Sequence, residues 1–285
     1  MSTTHTEPAL TADLAAADVT AADPNEWRSY DEFAAGIDTY RLDNISLEGT
    51  AITLTLDDDS TLTLSFGADT VEWSGTGSLA TDGEGSSALT DPYDAVRVRH
   101  DVVFVHLPLE SREREAITVV YSESSHRALV AQSEIAEVAV EGEPQVGQTF
   151  WSAVTDAGEP TGEVPGPSRD LIGKRNLYRY SPHHLYEHVY ISSERYAWQC
   201  VQGVQRGHGD MDMSTVWKFA DGLYLFCFRE FRIAVASVWL HDLGYQLMTT
   251  GVFLGINGDG EAEHSRAGGH IYPIGSVDYP DVQPV

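Results

Sequence analysis

The residues best suited to chemistry are tyrosines and one glutamate in the C-terminal half of the sequence. Tyr178 and Tyr180 are two residues apart, so they point to the same side of a strand. Glu230 shares a strand face with Phe228, a candidate wall residue, and Arg229 lies opposite. If both faces point into one barrel, the carboxyl sits among phenols in an apolar cavity. Loss of solvation would raise its pKa toward neutrality, where it can give or take a proton.

The strand after the tyrosine pair carries a second aromatic face. Tyr186, His188 and Tyr190 alternate along it and share one side, while Glu187 lies on the other. Trp198, on the following strand, is a further candidate wall of the same cavity. The structural alternative is that these tyrosines are good strand formers whose hydroxyls lie at the rim of a barrel. The pattern leaves both interpretations open.

A metal centre is not predicted. His184 and His188 are four residues apart, a spacing that suits one face of a helix. Pro182 and the alternating aromatic residues indicate strands instead, where this spacing does not converge on a metal. The two cysteines are expected to be buried small apolar residues. The glycine-rich run 255–260 has neither dinucleotide-binding spacing nor a following helix, so it is interpreted as a loop and no cofactor is predicted.

The charge of the chain excludes several classes of partner. There are 44 acidic and 17 basic residues, which give a formal net charge of −27. Such a field repels phosphate backbones, so nucleic acid and anionic membrane surfaces are poor partners. No run approaches the ~20 apolar residues of a membrane helix, and no signal-like segment is found. With only two cysteines, a disulfide scaffold is excluded and a cytoplasmic location is expected.

The elements that would position these residues are short strands. Segments 51–56 and 61–66 alternate apolar and polar residues around an acidic turn, which predicts a hairpin. Similar strands follow at regular spacing without a long helical period, as in antiparallel sandwiches and barrels. A proline- and glycine-rich stretch interrupts the pattern before strands begin again. The predicted division is a flexible N-terminal arm (1–35), a first barrel (36–140), a linker (141–170) and a second barrel (171–285).

Two long stretches of the C-terminal half resemble a known family. They are LIGKRNLYRYSPHHLYEHVYISSERYAWQC (Leu171–Cys200) and HGDMDMSTVWKFADGLYLFCFRE (His208–Glu230). Both resemble the C-terminal domain of the MoaF family, which is named for molybdenum cofactor biosynthesis protein F. The segment DPYDAVRVRHDVVFVHL (Asp91–Leu107) resembles the N-terminal domain of that family more weakly. Nothing in these residues indicates a molybdopterin site.

The same half also resembles the bacterial phenolic acid decarboxylases, which are cofactor-free lipocalin-like barrels. Tyr178 and Tyr180 match their tyrosine pair, and their Tyr-Glu-x-x-Tyr motif is matched by the segment that begins at Tyr186. The resemblance implies that the tyrosine pair faces the substrate and that Glu230 is the catalytic glutamate. The active-site arginine of that family falls on His208 when residues are counted without a gap. Histidine replaces a permanent bidentate cation with a titratable donor there.

The sequence and its resemblances therefore predict an all-β fold of two tandem calycin-like (lipocalin-like) antiparallel barrels, the second with a pocket for a small aromatic molecule. Glu230 would move a proton to or from carbon, while Tyr178 and Tyr180 hold a carboxylate or phenol. The implied enzyme is a decarboxylase-like lyase or a Pictet–Spengler-type cyclase, as in β-carboline synthesis. A non-catalytic binding protein is the alternative, and a homodimer is left open as the assembly. The residues predicted to bind the ligand are Tyr186, His208, Trp198 and Phe228.

Overall fold

Strands form nearly all of the regular structure. The structure is a computed structural model, and it describes residues 28–80 and 87–285. In these ranges there are eighteen strands, two short 3-10 turns and one α-helix, α1 (Tyr30–Ala34). The all-β class predicted from the sequence is confirmed. No helix in the described part of the chain is long and apolar enough to cross a membrane.

The first barrel is a nine-stranded sheet that nearly closes. Its strands lie in the order β4-β3-β2-β1-β9-β8-β7-β6-β5, and all neighbours are antiparallel. The strands are β1 (Ala51–Leu56), β2 (Thr61–Phe66), β3 (Thr70–Gly75), β4 (Leu89–Pro92), β5 (Asp94–Arg99), β6 (Val102–Pro108), β7 (Glu115–Ser122), β8 (Arg127–Ile135) and β9 (Val146–Thr155). Because β4 and β5 are its edges, the gap lies between strands that follow each other in the chain.

Alternation along the strands fills the interior of the first barrel. Leu54 lies opposite Leu62 across the β1–β2 pair, and both are fully buried. Asp59 adopts a positive φ of 64°, which lets the chain reverse between these strands. Trp73 from β3 and Trp151 from β9 reach the same apolar core. The interior is therefore a packed core built from large apolar side chains.

The second barrel is fully closed. Its strands lie in the order β10-β14-β13-β12-β11-β18-β17-β16-β15, and pairing of β14 with β15 completes the ring. The strands are β10 (Gly166–Pro167), β11 (Lys174–Ser181), β12 (His184–Tyr190), β13 (Arg195–Gln202), β14 (Gly209–Ala220), β15 (Leu223–Arg229), β16 (Val235–Asp242), β17 (Met248–Ile256) and β18 (Ala262–Ser276). Two antiparallel barrels in tandem, as predicted, are thus confirmed.

The two barrels pack through the outer faces of their sheets. Phe104 from β6 and Leu240 from β16 belong to one apolar cluster to which both barrels contribute. At its edge, the Arg99 guanidinium donates two hydrogen bonds to the Asp242 carboxylate, at 2.8 and 3.1 Å. The Asp242 side chain is fully buried. This paired charge therefore links β5 of the first barrel to β16 of the second.

The predicted domain boundaries need two corrections. β9 lies within the predicted linker (141–170) and completes the first barrel by pairing with β8 and β1. α1 lies within the predicted arm (1–35), and its Tyr30 and Phe33 are buried in the core of the second barrel. Residues 1–27 of that arm lie outside the described residues. Prolines and glycines near β9 obscured its pattern, and a five-residue helix is too short to show a helical period.

The last strand of the chain was not predicted from the sequence. β18 is fifteen residues long and pairs with β17 and β11. The glycine-rich run 255–260, interpreted as a loop, begins inside β17, which ends at Ile256. Residues 262–270 of β18 include no β-branched or large aromatic residue of the kind typical of strands. Its pairing partners, rather than its own composition, make it a strand.

Candidate active site

A cavity lies inside the second barrel, and aromatic rings form most of its wall. The cavity is small. Its volume of about 40 Å³ is enough for a few water molecules. The eight aromatic residues of the wall are Phe33, Tyr180, Tyr186, Tyr196, Trp198, Phe228, Trp239 and Phe253. The remaining lining residues are Ile37, His188, Gln205 and Glu230.

Glu230 is the acidic group of the cavity wall. It follows β15 directly, and its backbone N–H donates to the Val235 carbonyl at 2.9 Å, which holds the β15–β16 turn. The residue is 7% exposed, so its carboxyl is largely withdrawn from solvent. Burial raises the pKa of this carboxyl well above its ordinary value, and the nearby Asp212 and Asp210 raise it further. Glu230 therefore keeps its proton to a higher pH than an exposed glutamate does.

The residue beside Glu230 points the other way. Arg229 donates to the Gln148 side chain of β9 at 3.1 Å and to Thr215 at 3.0 Å. These bonds lie on the outer face of the second barrel, toward the first barrel. Because strand neighbours face opposite sides, the guanidinium next in sequence does not neutralise the Glu230 carboxyl.

A second carboxyl lies behind the cavity wall. Asp212 accepts a hydrogen bond from the Trp198 indole N–H at 2.8 Å and one from the Phe231 backbone N–H at 3.3 Å. Burial raises the pKa of Asp212 to about 6, against the lowering effect of the Trp198 bond. Asp210 forms an ion pair with Arg232 at 2.5 Å. The mouth of the barrel is thus acidic around Glu230.

Tyr180 and Tyr186 lie in the cavity wall. The Tyr186 hydroxyl donates to the Gln205 side-chain carbonyl at 2.9 Å, and the Tyr180 ring stacks on Trp239 with centroids 5.1 Å apart. Burial raises the pKa of both phenols well above the ordinary value, so they stay protonated and can donate hydrogen bonds. Trp198 and Phe228, predicted as walls, also line the cavity.

Tyr178, predicted to contact the substrate, lies outside the cavity lining. It is fully buried, but its hydroxyl pairs with the Tyr190 hydroxyl at 2.6 Å and accepts from the Asn176 amide at 3.2 Å. Its ring packs on His188 at 4.4 Å and His241 at 4.9 Å. The two-residue period of strands placed Tyr178 in the interior correctly. Tyr178 lies two residues from Tyr180 along β11, however, and therefore one layer deeper in the barrel. It belongs to the floor of the barrel.

His208 is also displaced from its predicted place in the lining. It lies beside Gly207 and Gly209 in a groove on the outer surface of the barrel. Its backbone carbonyl accepts from the Cys200 N–H at 2.9 Å. Gln205 of the same β13–β14 loop occupies the cavity wall instead. The gap-free count could not show that the β13–β14 loop brings Gln205, and not His208, to the cavity.

The mouth of the barrel is covered by the segment 30–41, here called the cap. Phe33 and Ile37 of the cap line the cavity, and the Phe33 ring packs against Phe253 with centroids 5.6 Å apart. Backbone bonds fasten it to the rim: the Tyr40 N–H donates to the Tyr180 carbonyl at 3.1 Å. The small cavity volume follows in part from these two apolar side chains. No sequence pattern pointed to this contact, because its partners lie about two hundred residues away.

Several polar atoms inside the second barrel have no hydrogen-bond partner among the described residues. They are the indole N–H of Trp239, Nδ1 of His188 and Nε2 of His241. Burial lowers the pKa of His188 to about 3 and that of His241 well below its ordinary value, so both rings are neutral. Of these three atoms, those of Trp239 and His188 belong to lining residues. Buried polar groups without partners are uncommon, and a ligand would satisfy them.

Metal ligands do not gather in the described ranges: no group of three or more His, Cys, Asp or Glu residues could hold a metal ion. Cys200 and Cys227 are free and buried, as the sequence analysis expected. Burial raises the pKa of their thiols to about 11 and about 12. Both are therefore protonated and poor nucleophiles at neutral pH.

Comparisons with known proteins match both halves of the chain to one family. Residues 165–277 match the family model of the MoaF C-terminal domain, and residues 25–137 match that of the MoaF N-terminal domain. Protein MoaF of Klebsiella aerogenes is 35% identical over 197 residues, which cover 65% of this chain and 72% of that relative.

A solved structure matches over a smaller part of the chain. It is a candidate beta-lactamase from Burkholderia vietnamiensis, 14% identical, with a TM-score of 0.32, and the match covers 36% of this chain and 95% of that one. A likeness at this level carries no functional argument.

Proposed function

This chain belongs to the MoaF family, and from that membership and the geometry of the cavity we propose that its second barrel is a cofactor-free acid–base catalyst for a small aromatic or conjugated molecule. One observation supports the proposal above the others. A buried carboxyl, Glu230, is part of a wall that is otherwise aromatic and apolar apart from His188 and Gln205. A group with a strongly shifted pKa in a cavity is a functional-site candidate on physical grounds.

The raised pKa of Glu230 suits it to exchange a proton with carbon. As the neutral acid it can protonate a conjugated carbon, whose π electrons form the new C–H bond. As the carboxylate it can take a carbon-bound proton, and the C–H electron pair then returns to the conjugated system. Both steps are most efficient when the pKa of the carboxyl lies near the working pH, and burial shifts the pKa of Glu230 upward, in that direction.

Decarboxylation and ring closure use this same proton transfer, and the proposal includes both. In the phenolic acid decarboxylase resemblance, Tyr178 belongs to the tyrosine pair that faces the substrate, and His208 takes the place of the active-site arginine. Neither residue lines the cavity among the described residues. The hydrogen-bond donors of the wall are instead Tyr180, Tyr186 and the Trp239 indole. This distribution favours ring closure of the Pictet–Spengler type, in which Glu230 removes a ring proton, over decarboxylation.

Substitution of Glu230 tests the proposal. Glu230→Gln keeps the shape of the side chain but cannot transfer the proton, so turnover should fall by a factor on the order of 10² to 10⁴ while ligand affinity changes little. One assay is chromatographic detection of the tetrahydro-β-carboline formed from an indole-ethylamine and an aldehyde. The other is the loss of absorbance of a 4-hydroxycinnamate. Glu187→Gln is the matched control, because Glu187 lies on the outer face of β12 beside Arg175. A Glu230→Gln protein with the wild-type rate would refute the assignment.

The alternative function is binding without chemistry. The aromatic wall and the covered mouth suit retention of an apolar molecule as well as its conversion. A ligand that binds the wild-type protein and is recovered unchanged in both assays would favour this alternative. We also propose a cytoplasmic location, which two free buried thiols support. The homodimer stays a prediction, checked by the mass of the protein in solution.

A further inference from the structure

The composition of the cavity wall bears on the charge of its ligand. Eight aromatic rings surround one carboxyl, that of Glu230. The face of an aromatic ring carries partial negative charge and attracts cations, most strongly where water is excluded. Aromatic cages around an acidic group are a common way for proteins to hold an ammonium group. The wall of this cavity likewise combines aromatic rings with one acidic group.

Positive charge does not reach the wall. All 17 lysines and arginines of the sequence fall within the described ranges, and none of them lines the cavity. His188 lines it but is neutral, because burial lowers its pKa to about 3. An anionic ligand would therefore meet no counter-charge there. It would also be repelled by the nearby carboxylates of Asp210 and Asp212.

The groups that act on Glu230 also disfavour an anion. Asp210 and Asp212 approach it from β14, and the arginine that pairs with Asp210 lies outside the cavity lining. Tyr186 from β12 and Tyr196 from β13 interact with it, and burial keeps both phenols protonated. No cation among these groups competes for the carboxyl. A positively charged ligand would bring a counter-charge to a wall that no lysine or arginine lines.

We propose that the cavity binds a small aromatic molecule that carries a protonated amine, with its ring against the aromatic wall and its ammonium group on Glu230. This inference rests on the proposed function, since it specifies the charge of that substrate. The ammonium group attracts the carboxylate rather than the neutral acid, so Glu230 loses its proton as the amine binds. The proton passes to solvent, and the net charge of −27 raises the local concentration of such cations.

Three ligands that share a ring and differ in charge test the proposal. They are phenethylamine, 2-phenylethanol and 3-phenylpropionate, which are a cation, a neutral molecule and an anion at neutral pH. Dissociation constants are measured by titration calorimetry on the full chain, its Glu230→Gln variant and the Glu187→Gln control. The amine should bind the wild type and the control about tenfold or more tightly than the alcohol, and the anion most weakly. In Glu230→Gln the preference for the amine should fall to about threefold or less.

The other results of these titrations would contradict the amine proposal, the proposed function or both. Binding of the alcohol or the anion as tightly as the amine overturns the amine proposal and leaves the proposed function standing. A preference for the amine that persists in Glu230→Gln also overturns the amine proposal, because another group would then recognise the ammonium charge. If none of the three ligands binds at millimolar concentration, the amine proposal and the proposed function fail together.

Proton release gives a second test that needs no variant. The enthalpy of phenethylamine binding is measured in buffers of different ionisation enthalpy, and the slope counts the protons exchanged. Protons should be released on amine binding at pH values below the folded-state pKa of Glu230, up to one per amine bound, and none on binding of the alcohol. Amine binding without proton release would contradict the pairing with Glu230.

Discussion

Glu230 is held where a carboxyl is least stable in its charged form. Its pKa is raised above 4.5 in the folded protein, so the folded state holds this proton more tightly than the unfolded state does. Its contribution to stability is therefore fully present below pH 4.5 and is lost as the pH rises through the folded-state pKa. A group that weakens the fold at neutral pH is better explained by function than by packing.

Stability measurements at two pH values test this sign. Glu230→Gln should raise the free energy of unfolding at about pH 8. The gain should be about 1.4 kcal/mol for each unit by which the folded-state pKa of Glu230 exceeds the unfolded-state pKa, counted up to pH 8. The gain should vanish at about pH 4, where both states of the wild type carry the proton. Glu187→Gln should show the opposite sign, since Arg175 lowers the pKa of Glu187 and its contribution is lost as the pH falls. Equal stability of Glu230→Gln and wild type at both pH values would mean that Glu230 is solvated.

Tyr178 and Tyr180 provide a matched pair of substitutions. Tyr178→Phe leaves the Tyr190 hydroxyl and the Asn176 amide without a buried partner, so the free energy of unfolding should fall by about 1–3 kcal/mol. Its effect on phenethylamine affinity should be less than about twofold. Tyr180→Phe should instead weaken binding by about three- to tenfold with a smaller loss of stability. Both quantities come from denaturant unfolding and calorimetry, and the reverse assignment of effects would place Tyr178 in the binding site.

At the scale of single elements, the two-residue period of strands was enough to predict which side chains enter the barrel. Tyr186 and Phe228 were placed on interior faces, with Glu187 and Arg229 opposite, and the structure has them so. The period says nothing about depth along a strand. That is why Tyr178 could not be separated from Tyr180 by sequence alone, and why Tyr196 and Trp239, which follow the same rule, were overlooked as walls.

The elements that the sequence did not reveal depend on contacts distant in the chain. α1 is five residues long, and Tyr30 and Phe33 are held by the second barrel rather than by the helix itself. β18 is a strand because β11 and β17 flank it. Short-range patterns carry no information about such partners.

The cap should control entry to the cavity. Phe33→Ala removes the ring that packs on Phe253, so it should lower the free energy of unfolding by about 3–5 kcal/mol and speed ligand association by about threefold or more. Phe66→Ala is the control: it removes a ring from the first-barrel core at a similar cost, without access to the cavity. Stopped-flow quenching of tryptophan fluorescence gives the association rate. Equal acceleration in both variants would show that loss of stability, and not the cap, sets the rate.

At the scale of the whole molecule, the two barrels have different interiors. The first is filled by leucines and tryptophans, and the second encloses a carboxyl and a cavity. Their outer faces share one apolar cluster, to which Cys227 on the outer face of β15 contributes. The first barrel therefore supports the wall of the second from outside. This division of roles fits a scaffold and a functional barrel within one chain.

The ion pair between the barrels should contribute to the stability of the whole chain. Arg99→Ala leaves the fully buried Asp242 carboxylate without its cation, so the free energy of unfolding should fall by about 2–5 kcal/mol in denaturant titrations. Arg97→Ala is the control, because the pair of Arg97 with Glu123 is exposed and should contribute less than about 1 kcal/mol. Similar losses in the two variants would indicate that the barrels are not coupled through this contact.

The position of the cap in the chain affects the order in which the protein can be completed during synthesis. Phe33 leaves the ribosome long before Phe253 and Gly268, with which the cap makes contact. Tyr30 and Phe33 cannot be buried in the core of the second barrel until β17 and β18 have been translated. A nascent or prematurely terminated chain would then present unburied aromatic residues at both its start and its open second barrel, a signal that chaperones and proteases recognise. Burial of the cap thus marks a chain that has been translated past β18.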